Sequence, residues 1–310
     1  MEEHARKTLA ATPAPASQQP RPRLVLVSNR GAEADAPAAR PAGPTHAEQL
    51  LRVELPPRPG VLSALGLEMQ KAEPDFDRVS QLVNADVGLG AAVIKTANSP
   101  YIGLGRRVTS VQQAIYYLGF AEVFVIVTGL LLRRAFPSAD PAMEQVWEAS
   151  SKRAAWMGKL TRDVRGLQRD CVHTCGLFEN CGVAVLVMYA PGYARDVAQI
   201  ESATNPQELE RTQYGLDHAV IGEALVRTWG LSEEVALAVR YHHELLNLDA
   251  LNLPSESRML IALSTAVTEA FARSEGRQRE EWETQAPVVA ATLGWTAEDL
   301  EARIGQLLES

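Results

Sequence analysis

Cysteine is scarce in this chain. Three cysteines in 310 residues, Cys171, Cys175 and Cys181, crowd into one short stretch. An odd number with no secretory signal ahead of it argues against a disulfide framework, so a reduced, cytoplasmic setting is expected. Long apolar runs are lacking as well. The most apolar stretch, Leu118 to Leu132, contains Glu122 and falls short of the roughly 18 to 20 residues that cross a bilayer. It reads as a core helix, and no membrane partner is expected. Positive charge is in deficit: 30 Lys and Arg stand against 38 Asp and Glu, a formal charge of -8. That balance opposes docking along a phosphate backbone and removes nucleic acid from the expected partners. No glycine-rich phosphate cradle occurs. No segment sustains period-two alternation flanked by turn chemistry, so the ordered part is expected to be all-α.

What the chain has in quantity is apolar side chain, 46% of the sequence, ample for a buried core. Residues 1 to about 50 stand apart. They are Ala/Pro-rich and broken by charges, as in Ala11-Thr12-Pro13-Ala14-Pro15 and Ala36 to Pro44. Little burial is available there to offset the entropy of ordering, and the segment reads as a disordered leader. Its one apolar island, Leu24-Val25-Leu26-Val27, reads as unstructured, with docking on a partner or on the domain itself as the alternative.

From Leu55-Pro56-Pro57 onward helical periodicity takes over. Val61, Leu62, Leu65 and Met69 recur at three- and four-residue steps, and Val79, Leu82 and Val83 follow the Pro74-Asp75 start signal. A helix from about Val87 to Thr96 stops at Asn98-Ser99-Pro100, where Asn98 is expected to terminate it by accepting and donating hydrogen bonds. Thr109-Ser110 caps Val111 to Leu118, Gly119 ends that helix, and Phe120 to Arg134 is predicted to be the most buried one. Asp140-Pro141 opens a helix to about Thr161, and the cysteine-bearing segment Gly166 to Glu179 is helical until Gly182. Pro191-Gly192-Tyr193 reads as a turn. Further helices start at Pro206, run from the Asp217 cap through Trp229, and span Ser232 to His243 and Ser255 to Arg273. A last segment, Pro287 to Leu308, carries the Thr296-Ala297-Glu298-Asp299 capping start. The implied organisation is a leader (1–50), a helical domain (51–275) of two packed halves meeting near Pro137, and a C-terminal helical extension (276–310).

Candidate chemistry centres on three of the six histidines. His242 and His243 are adjacent, and His218 opens an upstream helix. Gathered imidazoles are how a helical bundle holds a transition metal. Neighbours on a helix point about 100 degrees apart, so both can face one ion only if the helix ends there, which Glu244-Leu245-Leu246-Asn247 permits. The alternative is polar helix-end histidines satisfied by water or carbonyls. Cys171 and Cys175 share a helix face, His173 points away and Cys181 lies beyond, so these cysteines read as small core residues. Arg106, Arg107 and Arg240 are candidate phosphate-binding residues.

The segment Asp86-Val87-Gly88-Leu89, Ile94-Lys95-Thr96-Ala97-Asn98-Ser99, Gly103 and Val108-Thr109-Ser110-Val111-Gln112-Gln113-Ala114-Ile115 to Leu118-Gly119 resembles the HDOD family, the HD-related output domain of bacterial signalling proteins. The opening Leu55-Pro56-Pro57-Arg58-Pro59 resembles it too. So do His218-Ala219-Val220-Ile221-Gly222, Trp229-Gly230-Leu231-Ser232 and Tyr241-His242-His243, and the likeness covers about Leu55 to Phe271. The resemblance implies an HD-domain-like helical bundle, similar in fold to HD phosphohydrolases. Their metal site takes an early histidine, a His-Asp pair, later histidines and a final aspartate. By local pattern these fall at Ala149, at Glu179-Asn180 and near Thr265, so the implied ligand set is broken while His218, His242 and His243 survive.

A dinuclear hydrolase needs a bridging carboxylate, and the amide of Asn180 is a poor substitute. Glu179, Asn180 and the three histidines are therefore expected to be a vestigial site, with no catalytic residue, no metal and no cofactor. The leading expectation is a non-catalytic signalling domain acting on protein partners of a bacterial pathway. One alternative is a metal-dependent phosphohydrolase of a cyclic dinucleotide or nucleotide, with Glu179 and the histidines as ligands. Another is a nucleotide sensor, of cyclic dinucleotides for example, that binds without hydrolysis.

Overall fold

The structure, a computed structural model, describes residues 55–99, 104–161, 164–277 and 279–309. The leader and its apolar island lie outside the described residues. Among the described residues every regular element is helical, and the all-α expectation holds.

Five helices build the N-terminal half: α1 (Gly60–Met69), α2 (Phe76–Asn84), α3 (Val87–Ala97), α4 (Val111–Leu118) and α5 (Phe120–Ala135). Their starts follow side-chain caps. Asp75, Asp86 and Ser110 accept from the backbone N–H of Arg78, Leu89 and Gln113, satisfying first-turn donors. Asn98 ends α3 as expected: Nδ2 donates to the carbonyls of Ile94 (2.9 Å) and Val108 (2.7 Å), and Oδ1 accepts from the Val108 N–H at 2.8 Å. Helix α5, with buried residues from Phe120 to Leu132, joins the halves by packing against α7 (Arg169–Phe178).

The second half begins at α6 (Pro141–Leu160), capped by Asp140. After α7 come α8 (Cys181–Tyr189), α9 (Tyr193–Glu201), α10 (Pro206–Tyr214), α11 (His218–Thr228) and α12 (Glu233–Tyr241). A 3-10 turn (Leu245–Asn247) and α13 (Leu248–Leu251) lead to α14 (Ser255–Ser274), α15 (Trp282–Leu293) and α16 (Ala297–Leu308). Helices α6 with α7, α8 with α11, and α11 with α12 pair closely, and α14 packs on α12, α15 and α16. Trp229, fully buried at the end of α11, packs edge-on against Phe178 and donates Nε1–H to the Pro56 carbonyl at 2.9 Å. The Leu55-Pro56-Pro57 opening is thereby fastened onto the second half.

Three expectations need correction. The single cysteine-bearing helix to Gly182 is two helices, α7 and α8, broken at Glu179-Asn180. Helix α8 leaves no periodic trace because Cys181 through Leu186 are all buried, so it has no polar face to reveal a period. The Pro191-Gly192 turn is present, but Tyr193 already begins α9. Pro287 does not open the last segment; it lies inside α15, where its missing N–H removes one helical hydrogen bond, to the carbonyl of Glu283. Residues 170–189 are apolar enough to span a bilayer by length and hydropathy, yet most of that stretch is buried inside the fold and it is interrupted at Asn180.

Candidate functional site

Helix termination creates the site. Helix α12 stops at Tyr241, so His242 occupies its C-cap and His243 begins the turn that follows. Released from helical spacing, the two rings turn toward His218, the first residue of α11, which Asp217 caps through the Val220 N–H. His218 Nε2 lies 3.2 Å from His242 Nε2 and 3.1 Å from His243 Nε2. Of the sequence alternatives, convergence on one point is the arrangement found.

The far side of each inner ring is held. His218 Nδ1 is 2.6 Å from Glu210 Oε2, which also accepts the His218 backbone N–H at 2.9 Å. Glu210 is completely buried, and its other oxygen accepts from the Tyr193 hydroxyl. His242 Nδ1 lies 2.8 Å from the Val239 carbonyl and so carries the proton, which leaves Nε2 as a lone pair facing the other rings. Burial disfavours charge on His218, but the charge and hydrogen bond of Glu210 outweigh it and raise the His218 pKa above its ordinary value. His242 goes the other way: burial, against the pull of Glu179, lowers it to about 4. His243 stands at the mouth with part of its ring in solvent, and it too is lowered, by loss of hydration first and then by His242, His218, Arg153 and Arg279.

Converging lone pairs repel unless an N–H or a cation lies among them. A proton on His218 meets that need, and one metal ion would as well. The donor set fits one cation, with three imidazole nitrogens and two Nδ1 groups already engaged. It does not fit two, because among the described residues no carboxylate joins the three histidines within ligand distance of one another.

Ala149, Glu179, Asn180 and Thr265, the positions where the resemblance places the missing ligands, line the same cavity of about 1840 Å³ as the three histidines. The local matching thus picked positions that share one cavity with the histidines. Thr265 spends its hydroxyl on the Ile261 carbonyl, and Asn180 sits at the start of α8 with no capping bond. Glu179, 2% exposed, pairs with Arg153 at 3.1 Å, and Arg153 also donates to Thr268 at 2.8 Å.

The arginines singled out in the sequence are not gathered. Arg106 rests over Tyr117 and, with Arg107, borders a separate shallow depression near Ala97 and Ser99. Arg240 lies 3.5 Å from Glu223 and over the Tyr241 ring, away from the cavity. The cysteines form no ligand group: Cys175 and Cys181 are buried and free, burial raises their thiol pKa values, and Cys171 is half-buried beside Ser232. His173 faces Glu122 instead.

Glu210 and Arg153 escaped the sequence reading, although each left a trace. Gln207, Glu210 and Tyr214 form the inward stripe of α10, and Arg153 stands one turn after Ala149 on the buried face of α6. A charge on an inward stripe is the signal that marks such residues.

A family model described as HDOD domain matches residues 55–245. An uncharacterized protein of Treponema pallidum (strain Nichols) is 26% identical over 197 residues, 62% of this chain and 38% of its own length. The chain thus spans well under half of that relative. Among solved structures, a "putative signal transduction protein" from Marinobacter aquaeolei superposes with a TM-score of 0.65 at 23% identity, covering 82% of this chain and 57% of that one. A "putative phosphohydrolase" from Shewanella amazonensis gives 0.60 at 19% identity, over 82% and 90%. Likeness at these identities establishes a shared fold.

Proposed function

The chain belongs to the HDOD family, and on that premise we propose that it is a signal-transduction module that works by binding, acts on protein partners of a bacterial pathway and hydrolyses no phosphoester. The observation that carries this reading is the Arg153–Glu179 pair. Glu179 is the buried carboxylate standing where the family resemblance puts a metal-binding pair, and a guanidinium already neutralises it at 3.1 Å. Its neighbour Asn180 offers only a neutral amide. A dinuclear hydrolase needs two cations and a bridging carboxylate to make a nucleophile of shared water. This cavity presents a fixed cation of its own in their place.

Assay of the purified protein on a panel of cyclic dinucleotides and nucleoside phosphates, with manganese, magnesium or zinc added, is expected to show no turnover. Turnover that disappears in His218→Ala would overturn the reading.

A second reading rests on the converging imidazoles and is a metal-dependent phosphohydrolase of a cyclic dinucleotide or nucleotide. His218, His242 and His243 would hold one cation, whose chemistry would be to acidify a bound water. Glu210 would orient His218 and strengthen it as a ligand, and the Val239 carbonyl would do the same for His242. Elemental analysis separates the two: stoichiometric iron, manganese or zinc, lost in His218→Ala and accompanied by turnover, favours the second.

A further inference from the structure

The residues just before α1, Leu55 to Pro59, form no helix, yet they hold to the molecule at two points. At the first, the Pro56 carbonyl accepts the indole N–H of Trp229 at 2.9 Å, and Leu55 packs against the core. At the second, the Arg58 guanidinium lies between Gly66 of α1 and Gly230 of the turn after α11. A Cβ at Gly66 would come within 2.7 Å of Nη2, and one at Gly230 within 3.0 Å of Nη1. The strap thus bridges the two halves of the fold. Its grip is slight for the burial it imposes. Pro56, Pro57 and Pro59 have no N–H to donate. Arg58 donates to one carbonyl, that of Leu62 at 3.3 Å, and its buried Nε has no partner. Loss of hydration lowers the Arg58 pKa, which marks the guanidinium as held there at a cost.

What the strap covers leads into the cavity. Trp229 is completely buried, and its ring packs edge-on against Phe178 with 5.6 Å between centroids. Phe178, also completely buried, is the last residue of α7. Next come Glu179, which holds Arg153, and Asn180, where no side chain caps the start of α8. Two contacts therefore separate Pro56 from the Glu179-Asn180 break. In a close-packed interior one ring can turn only if the other gives way.

We propose that Leu55 to Pro59 is a releasable latch. Seated on Trp229, it holds the Glu179-Asn180 break and the Arg153–Glu179 pair in place; lifted, it frees them. An uncovered Trp229 leaves its N–H without an acceptor unless the ring turns toward water, and that turn moves Phe178. The leader is continuous with the strap, so a partner that engages residues 1–54 acts on the latch first. This inference goes beyond the function proposed above and does not depend on it, because the latch acts on the cavity whether the cavity binds a ligand or turns one over.

Full-length protein labelled with 5-fluorotryptophan tests the latch, since each tryptophan gives its own fluorine resonance and Trp229→Phe assigns the one beneath the strap. Leu55→Ser and Pro56→Gly loosen the strap and leave Trp229 and Phe178 as they are. Each is expected to shift the Trp229 resonance. Each should also speed hydrogen exchange about fivefold, the effect of losing one neutral hydrogen bond, at the amides of Glu179 and Val183. Those two amides flank the break and bond the Cys175 and Asn180 carbonyls at 2.8 and 3.0 Å. Thr296→Ala, which removes the cap of α16 and lowers stability far from the strap, should do neither. An unmoved Trp229 resonance, a moved one with exchange at the break unchanged, or an equal rise in Thr296→Ala would each overturn the proposal. Turnover of a nucleotide would count against the non-hydrolytic function and leave the latch standing.

Discussion

His218 and His242 touch at 3.2 Å, yet their environments push their protonation in opposite directions. The sign of each effect on stability follows from linkage. His242 is depressed to about 4 in the fold, from an ordinary value near 6.5, so the unfolded chain gains a proton first as pH falls. Stability is present in full above about pH 6.5 and is lost as pH falls toward 4. His218 is raised, so its contribution is complete below its unfolded pKa and is lost as pH climbs through the folded value. Urea unfolding in the presence of a chelator should show stability declining between pH 6.5 and 4, with a shallower decline in His242→Gln. An unchanged slope in that variant would contradict the buried neutral ring. The histidines were legible in the sequence as residues. Their protonation was not, because it is set by burial and by the carboxylate of Glu210, which act only in the folded chain.

Helix crossings explain Gly182 and Gly222, the latter within the quoted His218-to-Gly222 motif. A Cβ on Gly182 would lie 1.9 Å from the His218 carbonyl, and one on Gly222 would meet Val239 at 2.8 Å. Contact with backbone cannot be relieved by a side-chain rotation, so α8 and α11 approach as closely as they do only with glycine at that point. Gly182→Ala is expected to destabilise the protein by about 1–3 kcal/mol, as measured by the denaturant midpoint, and to displace His218. A second element-level expectation concerns the end of α3. Asn98→Ala strips both the N–H and the carbonyl of Val108, a residue 1% exposed, of their partner. A loss of about 2 kcal/mol should follow in the same measurement. Caps such as Asp75, Ser110, Asp217 and Ser232 could be read locally because a cap is a contact within one turn. Helix α8 could not, since burial on all sides erases the periodicity that announces a helix.

For the molecule as a whole, α15 and α16 are part of the core and not an appendage. Val289, Leu293, Leu300, Ile304 and Leu307 are buried among the packed helices, and Glu301 ties Arg273 and Trp282 together. Each such side chain contributes roughly 1.5–3 kcal/mol of burial, comparable in sum with the whole stability of a domain. A chain ending at Ser274 is therefore expected to lose its single cooperative unfolding transition, and retention of that transition would show the last two helices to be dispensable.

Amphipathic periodicity and local caps, which act over a few residues, were enough to determine an all-helical chain with most of its boundaries, and the quoted motifs were enough to reveal its family. Where the second half's helices cross was decided by packing, and with it the meeting of imidazoles from residues 218, 242 and 243. The same packing set Arg153 against Glu179 and brought Arg279 and Gln285 to the cavity they line. Such contacts join residues far apart in the chain, and no short-range pattern encodes them.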